Sequence, residues 1–555
     1  MKQLGIVPLL VSLSLCAACS GGSHGPSSPP PNQRFSVGGT IAGLTATGLV
    51  LTNGTDSLSP NSAAASFTFP TALDSGSSYA VAISLQPSGE RCSLSNATGT
   101  VANAAVSDIT VTCASRLWTW LGGSQAAGQV GVVGTQGIAD TQNTPGARTG
   151  SVSWTDKAGN FWIFGGEAPF QSGGYPNDLW RYSPVDKTWT WVTGVDPTSF
   201  SSNPIGVYGT RGVPSTTTTP GGRHWAASWI DTNDTLWLFG GIGYDANGNW
   251  GLLNDLWKFT PGTGQWTWVN GSNTNGSTSV MGVQGIADAA NTPGSRDHVA
   301  VWTDSQSNLW LYGGFGDDPS GQMGGELGDL WKFNTNTLMW TWVGGVTSVN
   351  APTIYPPLGT GTANASPGGR IGSVTWTDKA GNFWLFGGEA ALGAINGEQL
   401  NDLWKFSPAS GTWSWMYGSQ APYSTPSFGT LGIVDATHGP GSLIGPLTWT
   451  DASGQLWLFG GYWYDVAVFP WGLHYANQLW EFRPSTGHWT WVSGSPDSNG
   501  SGSYGMLGTG APSNVPGTRY LAVGGIDAQG NFLLLGGGGY GGPNEFGVLN
   551  DLWKY

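Results

Sequence analysis

The sequence predicts an all-β protein of two parts, a small β-sandwich followed by a closed ring of six similar β-sheets. The 555 residues include 91 Gly and 32 Trp but only 9% charged residues, a composition typical of short strands joined by turns. In addition, one segment keeps returning. NDLWKFTPGTGQWTWV at 254–269 has near-copies starting at 177, 328, 401 and 477, and a half-copy, NDLWKY, at 550–555.

The N-terminus predicts export. Lys2 precedes an apolar run, 4–15, which ends in the sequence CAAC at 16–19. This pattern resembles a bacterial lipoprotein signal, although Cys16 stands where an aliphatic residue is usual. The resemblance implies a signal peptide at 1–18, a lipid on Cys19 and a flexible Gly/Ser/Pro linker at 19–33. Plain secretion with cleavage after Ala18 is the alternative.

Residues 34–115 contain no Trp and show about seven short strand-like runs separated by Gly, Asn, Ser and Pro. The pattern resembles Ig-like modules of bacterial surface proteins, which implies a small antiparallel β-sandwich that acts as a spacer. Cys92 and Cys113 are the only cysteines beyond the export signal. In an exported protein, we expect them to form a disulfide.

Residues 116–555 contain the repeat, whose DLW or QLW marks lie 73 to 77 residues apart. Each unit has four strand-like runs, in the second unit HWAASWI, LWLFGG, NDLWKF and WTWV, as in the blade of a β-propeller. The glycine pair, the aromatic residue of the third run and the Trp of the fourth resemble the kelch motif. The resemblance implies a six-bladed kelch-type β-propeller. The half-copy at 550–555 would pair with LWTWLG at 117–122, which closes the ring and removes a free sheet edge.

Most of the tryptophans recur at equivalent positions of the repeat, and we expect these to pack between neighbouring sheets. Four fall outside the repeat: Trp225, Trp250, Trp463 and Trp471. Two of the four belong to the aromatic insertion 462–476 in the fifth unit. The segment is either a ligand-binding surface or a loop that packs on itself. The candidate ligand-binding residues are Trp225, Trp250, Tyr462, Trp463, Tyr464, Trp471, His474 and Tyr475.

Five units carry an Arg before the first strand and an Asp in the NDLW segment, and the fifth unit loses both, with Leu443 and Gln478 instead. Because an unpaired buried charge is costly, coincident loss indicates a structural ion pair within each unit. A ring of arginines that binds an anion is the alternative. The predicted pairs are Arg148–Asp178, Arg223–Asp255, Arg296–Asp329, Arg370–Asp402 and Arg519–Asp551.

The short connections of every unit lie at one end of the sheets and the long connections at the other. Binding residues concentrate on long loops held by a rigid scaffold, so we expect function at the long-connection end. Kelch relatives include galactose oxidase, whose copper-radical site needs a Cys crosslinked to a Tyr. No Cys lies between 114 and 555, so that site cannot form here. The five histidines between 114 and 555 show no metal-ligand spacing, and we expect no metal and no cofactor.

The formal net charge of −14, with no cluster of Lys and Arg, argues against nucleic-acid binding. We therefore expect an exported, lipid-anchored, monomeric binding or adhesion protein of the cell envelope, which contacts the membrane through its lipid alone. Its expected ligand is a glycan or an extracellular protein. The alternative is a carbohydrate-active enzyme, whose acids would come from carboxylates such as Glu167, Asp317, Asp318 and Glu389. A purely structural role in the envelope is a third possibility.

Overall fold

The computed structural model describes residues 33–169, 174–196, 198, 203–322, 324–390, 397–434, 436–466, 472–543 and 545–555. The predicted signal peptide, Cys19, nearly all of the linker and Trp471 lie outside these residues. Every regular element described is a β-strand, which confirms the all-β prediction. Within the described ranges, no helix has the length and apolar character needed to cross a membrane.

The N-terminal module, residues 33–115, is built from two four-stranded sheets and a two-stranded ribbon around one apolar core. A disulfide joins Cys92 to Cys113 on neighbouring strands, as predicted. One strand pair, Val37–Ala42 with Val106–Ser115, is parallel, so the module is not the purely antiparallel sandwich we expected. Its strands are Arg34–Phe35, Val37–Ala42, Val50–Asn53, Asp56–Leu58, Ser66–Thr68, Leu73–Asp74, Ser78–Leu85, Glu90–Ser95, Thr98–Thr100 and Val106–Ser115.

In the described residues after the module, there are six antiparallel sheets, here numbered one to six, each with four main strands. The first strands are Val152–Thr155, Ala227–Ile230, Ala300–Thr303, Val374–Thr377, Leu447–Thr450 and Val523–Ile526. The second strands are Phe161–Phe164, Leu236–Phe239, Leu309–Tyr312, Phe383–Ala390, Leu456–Phe459 and Phe532–Tyr540. The third strands are Leu179–Ser183, Leu256–Thr260, Gly328–Asn334, Glu398–Ser407, Leu479–Arg483 and Phe546–Lys554. The fourth strands are Thr188–Thr193, Gln265–Asn270, Met339–Val346, Thr412–Tyr417, His488–Ser493 and, for sheet six, Thr119–Gly122.

The six first strands lie side by side in a closed cycle, in which sheet one contacts sheets two and six. This arrangement is consistent with a β-propeller-like fold. Thr119–Gly122 pairs with the last strand of the chain, with Trp120 opposite Trp553. Tryptophans of the repeat join neighbouring sheets: the Trp154 indole donates to the Trp237 carbonyl at 3.1 Å, and Trp229 donates to Trp310 at 3.0 Å. The repeated tryptophans therefore hold the ring together through apolar packing and directed hydrogen bonds.

Short additional strands extend the sheets. Four lie ahead of first strands: Arg223–His224, Arg296–Asp297, Arg370–Ile371 and Arg519–Tyr520. Three hairpins connect second and third strands: Ile242–Tyr244 with Trp250–Leu252, Phe315–Gly316 with Gly325–Glu326, and Tyr462–Asp465 with Gly472–Tyr475. Two lie along the outer strands: Ala139–Asp140 and Gly361–Thr362. The long connections are therefore partly ordered as β-structure.

The N-terminal module contacts the short-turn end of sheets five and six. The Arg116 guanidinium lies over the ring of Phe532 at 4.2 Å and that of Tyr555 at 4.9 Å, and donates to the Tyr555 carbonyl at 3.2 Å. From the module, the Ser88 hydroxyl donates to Glu481 at 2.6 Å. The module therefore lies against sheets five and six at the short-turn end, away from the opposite end of the ring.

Candidate functional site

At the end of the ring opposite the short turns, two residues of every sheet come together. One follows the arginine that precedes the first strand (Leu443 in sheet five), and the other follows the glycine pair after the second strand. The two pair with each other in all six sheets. These twelve residues are here called the mouth: Thr149 and Glu167, His224 and Ile242, Asp297 and Phe315, Ile371 and Glu389, Ile444 and Tyr462, and Tyr520 and Gly538.

In each sheet, the residue that follows the first member of the mouth pair has a left-handed backbone conformation. These six residues line a central cavity of about 170 Å³. Sheets one, four and five use Gly here, which adopts this conformation freely. Sheets two, three and six instead use Trp225, His298 and Leu521, with φ of 55°, 51° and 51°. Such strain in a side-chain-bearing residue is typical of functional sites. Sheets two and three thus place aromatic rings at the mouth at the expense of backbone strain.

A tryptophan wall, formed by Tyr175, His224, Trp225, Trp250 and His298, lines one side of the mouth. Trp225 lies between two imidazoles, with ring centroids 3.9 Å from His224 and 4.0 Å from His298. Tyr175 contacts His224 at 4.9 Å and Trp250 at 4.2 Å. Trp250 is 37% exposed, so the wall ends in an accessible aromatic surface. Trp225 and Trp250, both predicted from sequence, are joined by this continuous aromatic contact.

A tyrosine wall lines the mouth at sheets five and six. It is formed by Tyr462, Tyr464, Tyr475, Tyr520 and Phe546. Tyr520 lies 5.2 Å from Tyr462 and 5.4 Å from Tyr475, measured between ring centroids. Tyr475 also contacts Phe546 at 4.9 Å, and Phe546 is largely exposed. Burial, followed by the neighbouring tyrosines, raises the pKa of Tyr475 to about 12, so its hydroxyl remains a hydrogen-bond donor at neutral pH.

Acidic side chains lie between the two walls. Glu167 and Glu389 occupy the same mouth position in sheets one and four, which are opposite each other in the ring. The Gly397 N–H donates to Glu326 at 3.3 Å, and a Cβ on Gly397 would lie 3.4 Å from a Glu389 oxygen. Burial, and then the charge of Glu326, raises the pKa of Glu389 to about 7. Glu389 can therefore exchange a proton near neutral pH.

His224 stays neutral beside these acids. Burial, and then the proximity of His298, lowers its pKa to about 3. Among the described residues, its Nδ1 atom has no hydrogen-bond partner and faces Glu167 across 3.9 Å, while the whole residue is only 5% exposed. A buried polar atom without a partner is uncommon in folded proteins. His224 therefore provides a buried imidazole nitrogen whose hydrogen-bonding capacity is unused within the described part of the chain.

The arginines that precede the first strands are not available to a ligand. Each is buried and forms a two-pronged ion pair with the aspartate predicted from sequence. Each guanidinium also donates a hydrogen bond to the carbonyl of the first glycine of the glycine pair, which is Gly165 in sheet one. In sheet five, Leu443 is buried, and the Gln478 amide donates to the Ser495 carbonyl. The five pairs are Arg148–Asp178 (2.8 Å), Arg223–Asp255 (2.6 Å), Arg296–Asp329 (2.7 Å), Arg370–Asp402 (3.0 Å) and Arg519–Asp551 (2.6 Å).

Trp463 is a correction to the sequence prediction. It is only 7% exposed and packs in the core between sheets four and five, stacked on His474 at 5.1 Å. The segment is a hairpin strand, in which neighbouring side chains point to opposite faces. Tyr462 and Tyr464 therefore share one face and Trp463 occupies the other. His474 Nδ1 is hydrogen-bonded to the Ser498 hydroxyl at 2.7 Å. Trp471 lies outside the described residues.

Two of the four carboxylates proposed from sequence as possible enzymatic acids, Glu167 and Glu389, lie in the mouth. The other two are used inside their own hairpin: Asp317 accepts from the Gly324 N–H at 2.8 Å, and Asp318 from the Ser320 N–H at 2.9 Å. Among the described residues, no group of three or more His, Cys, Asp or Glu is arranged to hold a metal ion.

The sequence prediction missed Tyr175, Asp297, His298, Glu326 and Tyr520. Most of these follow directly from the repeat. Aligning the six units on the arginine and on the glycine pair shows that the residues just after them differ from sheet to sheet. That variation at fixed repeat positions is the sequence signal for these residues, and it is separate from the tryptophans that fall outside the repeat.

Comparison with known proteins adds little. No protein-family model matches the chain, and no curated protein matches it. Among solved structures, the chain is similar to the structure of YjhT, with 14% sequence identity and a TM-score of 0.43. The similarity covers 76% of this chain and 95% of that one. The following proposals therefore depend on the geometry of the mouth and on the sequence.

Proposed function

We propose that the protein is an exported glycan-binding or adhesion protein whose ligand lies in the mouth, between the tryptophan and tyrosine walls. In this proposal, a lipid on Cys19 anchors the chain, an Ig-like module follows, and a six-bladed kelch-type propeller presents the site. The observation that carries the proposal is the pair of aromatic walls, which end in the exposed rings of Trp250 and Phe546. Sugar rings present C–H faces that stack on such aromatic surfaces.

The acidic and tyrosine side chains supply the polar contacts that a saccharide needs. Glu167 is 45% exposed at its side chain, and the tyrosine hydroxyls can donate or accept. Because the walls belong to different sheets held by the ring, the site is fixed before the ligand arrives. A preformed site loses less conformational entropy on binding than a flexible loop would.

Glycan-array screening followed by titration calorimetry tests the proposal. We expect Trp250→Ala and Tyr475→Ala each to weaken binding about 10-fold or more, as expected for loss of an aromatic contact. Ile286→Ala, which changes an exposed apolar residue outside the mouth, should bind like the wild type. Unchanged binding in both mouth variants would reject this site. Failure of the wild type to bind any glycan would favour a protein partner instead.

A second candidate function, a carbohydrate-active enzyme, is favoured by one observation. Burial and the charge of the neighbouring Glu326 raise the pKa of Glu389 to about 7. A carboxyl group that holds its proton near neutral pH can act as a general acid, and a neighbouring carboxylate can act as base. Incubation of the bound glycan with the protein, followed by chromatography and NMR, would detect a chemical change. If Glu389→Gln retains the full rate, this assignment is wrong.

A further inference from the structure

The charged side chains of the mouth are all acidic. Of the twelve mouth residues, Glu167, Asp297 and Glu389 are acids and none is Lys or Arg; Asp297 is hydrogen-bonded to the neighbouring His298 imidazole at 2.9 Å. The adjacent Glu326 adds a fourth carboxyl group. The arginines below the mouth are neutralised by their buried aspartates, and the His224 imidazole is neutral. The mouth therefore has a negative potential, which a positively charged ligand would complement.

The tyrosine wall adds a second feature that favours a cation. Tyr462 is T-shaped against Tyr464, with ring centroids 5.9 Å apart at 84°, and against Tyr520, 5.2 Å apart at 78°. Gln399, which pairs with Glu389 in sheet four, accepts a hydrogen bond from the Tyr464 N–H at 2.8 Å, and this contact joins the Glu389 strand to the tyrosine wall. Electron-rich ring faces near a carboxylate form the kind of surface that attracts ammonium groups.

The third feature is the His224 imidazole. Among the described residues, its buried Nδ1 atom has no hydrogen-bond partner, and it lies 3.9 Å from a Glu167 oxygen. A neutral imidazole nitrogen can accept a hydrogen bond from a ligand N–H, while the Glu167 carboxylate accepts another. The two acceptors together suit a group with several N–H donors, which an ammonium group provides and an acetamido group does not.

From these three features we infer that the ligand is a saccharide carrying free amino groups. This inference rests on the proposed glycan-binding function and names the chemical class of the glycan. Glu389 and the tyrosine wall would hold one ammonium group, and Glu167 with His224 would accept from another. The aromatic rings of Trp250 and Tyr175 would stack on the sugar itself.

Titration calorimetry with two matched probes tests the inference: a tetramer of glucosamine and a tetramer of N-acetylglucosamine. We expect the wild-type protein at pH 7 to bind the amino tetramer about 10-fold more tightly or better, a difference of about 1.4 kcal/mol. Glu389→Gln should abolish most of that preference. Asp186→Asn, which removes one exposed acid at the short-turn end, should preserve it.

Proton release gives a second readout. Binding of an ammonium group favours the charged form of Glu389 and also the protonated form of the ligand amine, so the net proton change is compared between proteins: at pH 7 the wild type should release more protons, or take up fewer, than Glu389→Gln. This is measured from the buffer dependence of the binding enthalpy. Equal binding of both tetramers, or tighter binding of the N-acetylated one, would overturn the inference and leave the proposed function standing. If no glycan of any kind binds, the proposed function fails, and this inference with it.

Discussion

The short-turn end and the mouth of the same six sheets differ in how strongly the repeats diverge. Near the short turns, one position of the third strand carries Arg181, Lys258, Lys332 and Lys405 in turn, each over a tryptophan ring at 5.5 to 5.8 Å. In sheet five, Glu481 takes this position and contacts the N-terminal module.

Arg116, just after the module, then supplies the cation over the Trp457 ring at 5.5 Å. At the mouth, by contrast, no two sheets carry the same pair of residues. Repeats in one chain share the same packing against their neighbours, so a departure from the repeat indicates contact with something else. At the short-turn end the contact is the module, and at the mouth we infer a ligand.

The largest expected effect tests the constant part of the scaffold. Arg223→Leu leaves Asp255 buried without its cation and should lower the free energy of unfolding by about 3 to 5 kcal/mol. Adding Asp255→Gln reproduces the pair found in sheet five and should restore most of the loss. Denaturant unfolding measures both variants. If the double variant is no more stable than the single one, the ion pairs do not have the structural role assigned to them.

The next effect concerns the short-turn end. Arg116→Ala removes a guanidinium that contacts three aromatic rings and two carbonyls, and should destabilise the docked module by about 2 kcal/mol. Limited proteolysis should then cleave faster near residue 116. Arg211→Ala, which removes a cation–π contact with Trp268 and a hydrogen bond to the Gly271 carbonyl far from the module, is the control and should not change that rate. Unchanged cleavage in Arg116→Ala would mean that the module is held by other contacts.

A smaller effect is expected at the mouth. The pKa of Glu389 is raised in the folded protein, so the folded state retains its proton when the unfolded state has lost it. Stability should therefore fall as pH rises from about 4.5 to about 7. Glu389→Gln, which has no such proton, should show a weaker decline over this range. Thermal unfolding at a series of pH values measures the difference, and parallel curves for the two proteins would contradict the prediction.

The fold class, the disulfide and the buried ion pairs could be predicted from the sequence. The all-β class follows from composition and repeat, and the Cys92–Cys113 disulfide follows from export and cysteine count. The fold class and the disulfide follow from composition, repeat length and cysteine count, which do not depend on how the strands are arranged in space. The arginine–aspartate pairs could be inferred because sheet five lost both residues together, which indicated direct contact without any knowledge of distance.

Trp463 shows what the sequence could not give. Its orientation depends on the register of a hairpin, and a shift of one residue exchanges the buried and exposed faces. An aromatic run such as YWY has the same apolar character on both faces, so nothing in it selects the register. The proximity of Glu326 to Glu389 likewise depends on how the connections between second and third strands in sheets three and four pack against each other. No position of the repeat encodes that packing.

The pairing of Thr119–Gly122 with the last strand of the chain has a consequence for folding. Sheet six joins residues more than 400 positions apart, whereas the other five sheets form from neighbouring segments. Long-range pairing closes slowly because the loop entropy is lost before the contact forms. Sheets one to five can therefore assemble during synthesis, as the chain leaves the ribosome. Trp120 can pair with Trp553 only after synthesis of the last strand. The mouth needs all six sheets, so ligand binding should mature with this final, slow step.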